Sequence, residues 1–108
     1  MGLNAYYSTG HLMSASSSWT DAFRPVDTLT FGFPARTIHI CNSCGDRLWF
    51  NLASAATTLV DFVRGCSELL LQDLPGAGYQ EVTGLSLLTS SSSCTSRPLV
   101  GITAWGSA

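Results

Sequence analysis

The sequence predicts an all-β protein, an antiparallel jelly-roll-like β-sandwich of about seven to eight short strands with an extended N-terminal arm. Three observations lead there. Apolar residues alternate or come in short runs broken by Gly, Pro and Ser, and no long stretch keeps a helical period. The strand-like runs recur at intervals of roughly 8 to 15 residues, with turn residues between them. Connections of that length leave no room for helical crossovers, so neighbouring strands must run antiparallel. A chain of 108 residues suits one small domain with one core.

Residues 1–24 lack any period and scatter Tyr6, Tyr7, Trp19 and Phe23 among serines and glycines. They read as an extended arm whose aromatics could anchor on the domain's own surface or on a neighbouring subunit; an edge strand with a frayed terminus is the other reading. The domain proper is expected over 25–108, opened by Pro25. Leu29 and Phe31 alternate with Thr28 and Thr30 in the first expected strand, which Pro34 ends. Residues 35–52 read as a central hairpin. Ile38 and Ile40 share one face of its first arm, Leu48, Phe50 and Leu52 one face of its second, and Asn42 to Asp46 form the turn. Within that turn Gly45 suits a positive φ, and Asn42 and Asp46 can bond to nearby backbone.

After the small-residue connection 53–58, residues 59–63 read as a strand on the β-branched content of Thr57, Thr58, Val60 and Val63, in competition with a helical turn. Leu69, Leu70 and Leu71 make a continuous apolar run, consistent with a strand buried on both faces or partly covered by the arm. Pro75, Gly76 and Gly78 mark a loop that carries Tyr79. Residues 82–89 form a strand with Leu85 and Leu87 inward, Ser90 to Ser93 a flexible tip, and 99–105 a closing strand that sets Val100, Ile102 and Ala104 against Leu99, Thr103 and Trp105.

Composition narrows the function. Hydrophobic residues make up 45% and charged residues 11%, with five arginines, no lysine and a net charge of -2. Such a surface packs well among other proteins, and it offers no basic stripe to hold nucleic-acid phosphates. No apolar run approaches the roughly 20 residues of a membrane span, and no basic-then-apolar leader opens the chain. The four cysteines, Cys41, Cys44, Cys66 and Cys94, are therefore expected as free thiols in a reducing cytoplasm, with two disulfides as the alternative.

No catalytic constellation emerges. The serines lie in no nucleophile motif, His39 sits mid-strand opposite Ile38 and Ile40, and the seven acids are scattered, so the chain is not expected to be an enzyme. Cys41 and Cys44 form a C-x-x-C-G turn of the kind that can present two thiolates to zinc. A second ligand pair is not apparent in the sequence, so neither a metal nor a cofactor is expected. Trp49, Tyr79 and Trp105 could instead line a carbohydrate surface, although core or subunit contacts account for tryptophans equally well.

From Phe33 onward, over about the last 75 residues, the order of features resembles small jelly-roll or β-sandwich structural proteins of tailed-bacteriophage virions. It does so through Phe33, Pro34, Arg36, Thr37, Ile38, Ile40 and Asn42, then a turn at Gly45 and Asp46, then Leu48, Phe50, Asn51 and Leu52. Ala56, Thr57 and Thr58, the run Gly65–Leu71, Thr83–Leu87 and Ala104–Gly106 continue the pattern. The resemblance implies a capsid decoration or cement protein of the virion, assembled in the host cytoplasm. Such a protein binds the major capsid protein across capsomer junctions, often as a homotrimer. A tail or neck subunit and a carbohydrate-binding module on the virion surface are the alternatives. Partner contacts are expected at Tyr6, Tyr7, Trp19 and Phe23, with no nucleic acid and no membrane as partner.

Overall fold

A computed structural model describes residues 4–15, 26–52, 61–74, 81–89, 94–95 and 97–107. These hold eight strands: β1 (Asn4–His11), β2 (Asp27–Thr30), β3 (Ala35–Asn42), β4 (Leu48–Asn51), β5 (Phe62–Val63), β6 (Ser67–Leu71), β7 (Gly84–Thr89) and β8 (Val100–Ser107). They form two four-stranded sheets, ordered β1-β8-β3-β6 and β2-β7-β4-β5. Every pairing is antiparallel. First pairs with eighth, second with seventh, third with sixth and fourth with fifth, so the pairing is nested around the β4–β5 connection.

The core follows from two-residue alternation. In the first sheet Ile38, Ile40, Val100, Ile102 and Ala104 point inward; in the second, Leu29, Leu48, Phe50, Val63, Leu85 and Leu87 meet them. Leu85 and Leu87 are inward as the sequence predicts, and of the two alternating sets in the closing strand it is Val100, Ile102 and Ala104 that face the core.

Four expectations change. Residues 35–52 are not a hairpin: β3 pairs with β6 and β8, β4 with β5 and β7, and the 43–47 turn carries the chain from one sheet to the other. Two strands whose apolar faces both seek one core can satisfy that from opposite layers as well as side by side. Over Asn4–His11 the expected arm is an edge strand, paired with β8 along its whole length, and Met13 just beyond it is 2% exposed within the core. The leucine run is not buried on both faces. It lies on the edge strand β6, with Leu69 and Leu71 packed against the core and Leu70 half exposed. Finally, positive φ falls at Gly32, Cys66 and Asp73 rather than at Gly45. The connection 53–58, the Tyr79 loop and the serine tip 90–93 lie outside the described residues.

Candidate partner-binding face and cysteine corner

The outward surface of the first sheet is built from three cross-strand rows. Tyr6, Trp105 and Thr37 make one row; Ser8, Thr103, His39 and Leu70 the next; Gly10, Gly101, Cys41 and Glu68 the third. Tyr6 and Trp105 meet edge to face with ring centroids 6.0 Å apart, a favoured aromatic geometry, and both remain exposed, at 64% and 41%. Within these rows His39 Nε2 donates to Glu68 Oε2 at 2.9 Å, and the other outward side chains are aromatic, aliphatic, hydroxyl or thiol groups. His39 is thus a half-exposed surface residue, as its strand position predicts. The second sheet differs, since its outward Trp49 and Leu88 are buried at 8% and 4% and form a small cluster of their own.

Of the residues expected to contact partners, Tyr6 and Tyr7 are among the described residues, and of these Tyr6 stands on this face. Tyr7, one step along the strand, turns inward, where its ring lies 5.2 Å from that of Phe31 and packs on the core. Trp19 and Phe23 lie outside the described residues, as does Tyr79. Trp49 is too buried to offer a sugar platform, whereas Trp105 and Tyr6 stay exposed.

Two polar side chains fasten the layers to each other. Asp27 Oδ2, at the start of β2, accepts from His11 Nε2 at 2.7 Å and from the Ser14 amide at 2.9 Å, joining the end of β1 to the second sheet. Asn42 occupies the last inward position of β3 and is 1% exposed. Its Nδ2 donates to the carbonyls of Asp46, Val63 and Arg64 at 2.8, 3.3 and 3.1 Å, and its Oδ1 accepts from the Cys44 amide at 3.2 Å. A buried amide so completely paired fixes the 43–47 turn against the β5–β6 turn. Contact there is tight: the Cys66 amide donates to the Cys44 carbonyl at 2.8 Å, and a Cβ on Gly65 would collide with the Gly45 carbonyl.

All four cysteines gather at this corner. Cys44 and Cys94, both buried, are joined in a disulfide with Cα atoms 5.5 Å apart, which corrects the expectation of four free thiols. Fifty positions separate them in sequence, and only the meeting of the β3–β4 turn with the segment before β8 brings them together. Cys41 and Cys66 are free. They line an open depression of about 440 Å³ with Asn42, Ser43, Ser67 and Glu68. The two sulfurs of the C-x-x-C turn therefore diverge, Cys41 toward the outer face and Cys44 toward the interior, so Cys41 and Cys44 do not form a chelating pair. Asp46 joins the other pair instead: its carboxylate and the sulfurs of Cys44 and Cys94 all lie within 4.8 Å of one another.

Among the described residues no helix is long and apolar enough to cross a membrane. No family model, curated protein or solved structure matches this chain, so the fold and these two surface features are what a functional reading has to rest on.

Proposed function

We propose that this protein is a structural subunit of a bacteriophage virion, a capsid decoration protein that binds the major capsid protein through the outward face of its first sheet and works as a homotrimer. The observation that carries the reading is that face: a four-stranded surface whose His39 and Glu68 side chains bond to each other and whose Tyr6–Trp105 pair and Leu70 stay exposed while Ile38, Ile40, Ile102 and Ala104 are buried behind them. Aromatic side chains of low conformational entropy are the groups that dominate binding energy at protein interfaces. The nested strand pairing supports a jelly-roll wrapping, an architecture that viral capsid proteins share with lectin domains. Binding to the assembled shell stabilises it by mass action, with no chemistry required.

The test is co-sedimentation of the protein with purified capsids, beside native mass spectrometry for the trimer. Replacing both aromatics (Tyr6→Ala with Trp105→Ala) should leave the fold intact and lower capsid affinity at least tenfold. Unchanged affinity would overturn the assignment of the face. Deleting residues 1–24 is a poor substitute, because it removes β1 from the sheet.

The same aromatic pair favours one second reading, a carbohydrate-binding surface, since exposed rings on a flat sheet can stack on sugar faces. Glycan-array binding lost with Trp105→Ala, together with no binding to capsids, would select it.

A further inference from the structure

We propose that the cysteine corner is a zinc site in the reduced protein, with Cys44, Cys94 and Asp46 as its three protein ligands and solvent in the fourth position. This inference does not depend on the virion reading. It starts from the convergence of two buried sulfurs and a carboxylate within 4.8 Å of one another. Once the disulfide is reduced, two thiolates and a carboxylate are a donor set suited to a borderline-soft divalent cation.

The geometry needs little change. Zn–S bonds of about 2.3 Å in a tetrahedron place the two sulfurs about 3.8 Å apart, and the Cα separation of 5.5 Å accommodates that by rotation of the two side chains. The Zn–O distance of about 2.0 to 2.2 Å draws Asp46 inward from a backbone already held, since its carbonyl accepts from Asn42 Nδ2. The Cys44 amide and carbonyl are likewise committed, to Asn42 Oδ1 and the Cys66 amide. Such outer bonds pre-orient ligands and are a regular part of metal sites. Ser43 and Gly45 are exposed beside the pair, which gives solvent access to the fourth position. Cys41, the other half of the C-x-x-C turn, faces the depression on the outer side and is not a ligand.

The two states interconvert by a balanced exchange. A dithiol reductant transfers two electrons and two protons to the Cys44–Cys94 bond and becomes a disulfide itself; the two thiols then release two protons as Zn²⁺ binds. The corner is cross-linked in either state, by a covalent bond where the surroundings are oxidising and by a metal where thiol reductants prevail.

The experiment uses the full chain, reduced with a phosphine and given one equivalent of Zn²⁺ or Co²⁺, followed by native mass spectrometry and by cobalt absorption, which counts thiolate ligands. One metal per reduced chain, none in the oxidised protein and a two-thiolate cobalt spectrum are expected. Asp46→Asn leaves both cysteines in place and should weaken zinc at least tenfold; its oxidised form should keep the wild-type circular dichroism. A protein with Cys41→Ser and Cys66→Ser should bind zinc within about twofold of wild type. The proposal is overturned if the reduced wild type retains no metal, if Asp46→Asn binds as tightly as wild type, or if the Cys41/Cys66 double variant loses the metal.

Discussion

Replacing Asn42 by Ala should be among the most damaging single changes in this protein. Its amide group makes four contacts with the backbone of two segments, the 43–47 turn and residues 63–64. Two Nδ2 protons serve three carbonyls, so the contacts amount to about three full bonds, each with a net value of about 1 kcal/mol. Truncation leaves one amide and up to three carbonyls short of a partner. The exposed residues beside the turn allow water to relieve some of that loss, which keeps the expected cost at about 3 kcal/mol rather than the larger sum of full desolvation penalties. For a domain of this size that corresponds to a fall of roughly 15 °C in Tm. Equilibrium urea unfolding followed by tryptophan fluorescence measures it directly, and Asn42→Asp supplies the control. Aspartate matches the volume and keeps the acceptor for the Cys44 amide, but it turns an oxygen toward three carbonyl oxygens, so it should cost at least as much as Ala. A loss below about 1 kcal/mol in both variants would refute the argument. A mild Asn42→Asp with a severe Asn42→Ala would show that the site responds to volume and not to donors.

Three further outcomes follow from neighbouring features. Asp27→Ala should cost about 2 kcal/mol in urea unfolding, because it strips a mostly buried acceptor from both His11 and the Ser14 amide; Asn at the same position should recover part of it. Gly65→Ala should cost about 1 to 3 kcal/mol through its collision with the Gly45 carbonyl. By contrast Gly45→Ala, whose Cβ would meet nothing within 4 Å, should stay within about 0.5 kcal/mol. Cys94→Ser should destabilise the oxidised protein by about 4 kcal/mol, the chain-entropy value for a closed loop set by a 50-residue separation. With reductant and a chelator present, that gap to wild type should shrink to about 1 kcal/mol or less.

Alternation of side chains made β2, β3, β4, β7 and β8 legible from the sequence, and with them most of the core, because which residues face inward is a local property with period two. Partner choice is not local. The inward residues Leu48 and Phe50 look the same whether β4 lies beside β3 or across the core from it, and nothing between Asn42 and Leu48 states which. β1 was legible only as the alternative to an extended arm, for a related reason: its inward positions include Ala5, Tyr7 and Thr9, too mixed to read as an apolar face until β8 supplies the cross-strand partners. At the cysteine corner the C-x-x-C spacing drew attention to Cys41 as the partner of Cys44, yet strand pleat sends the Cys41 side chain outward and leaves Cys44 to Cys94. The role of Asn42 was partly visible as a turn residue able to bond to backbone; its reach to Val63 and Arg64 depends on the β5–β6 turn arriving there. Tyr6 and Tyr7 illustrate the limit most simply, since adjacent tyrosines in a strand must face opposite ways and only the register with β8 says which one is outward.

The nested pairing also sets an order in time. β4 and β5 are close in the chain, while β1 and β8 stand near opposite ends of it, so each successive pair closes a longer loop at a larger entropic cost. β8, moreover, sits between β1 and β3 in the first sheet. During synthesis β1 precedes the other strands and waits, its strand partner among the described residues being the last of the eight to leave the ribosome. The second sheet has all its strands once β7 is made; the first has a gap at its centre until β8 inserts. Folding of this chain should therefore be slow, dominated by distant contacts, with the aromatic strand β1 the segment most exposed to association with other chains in the interval.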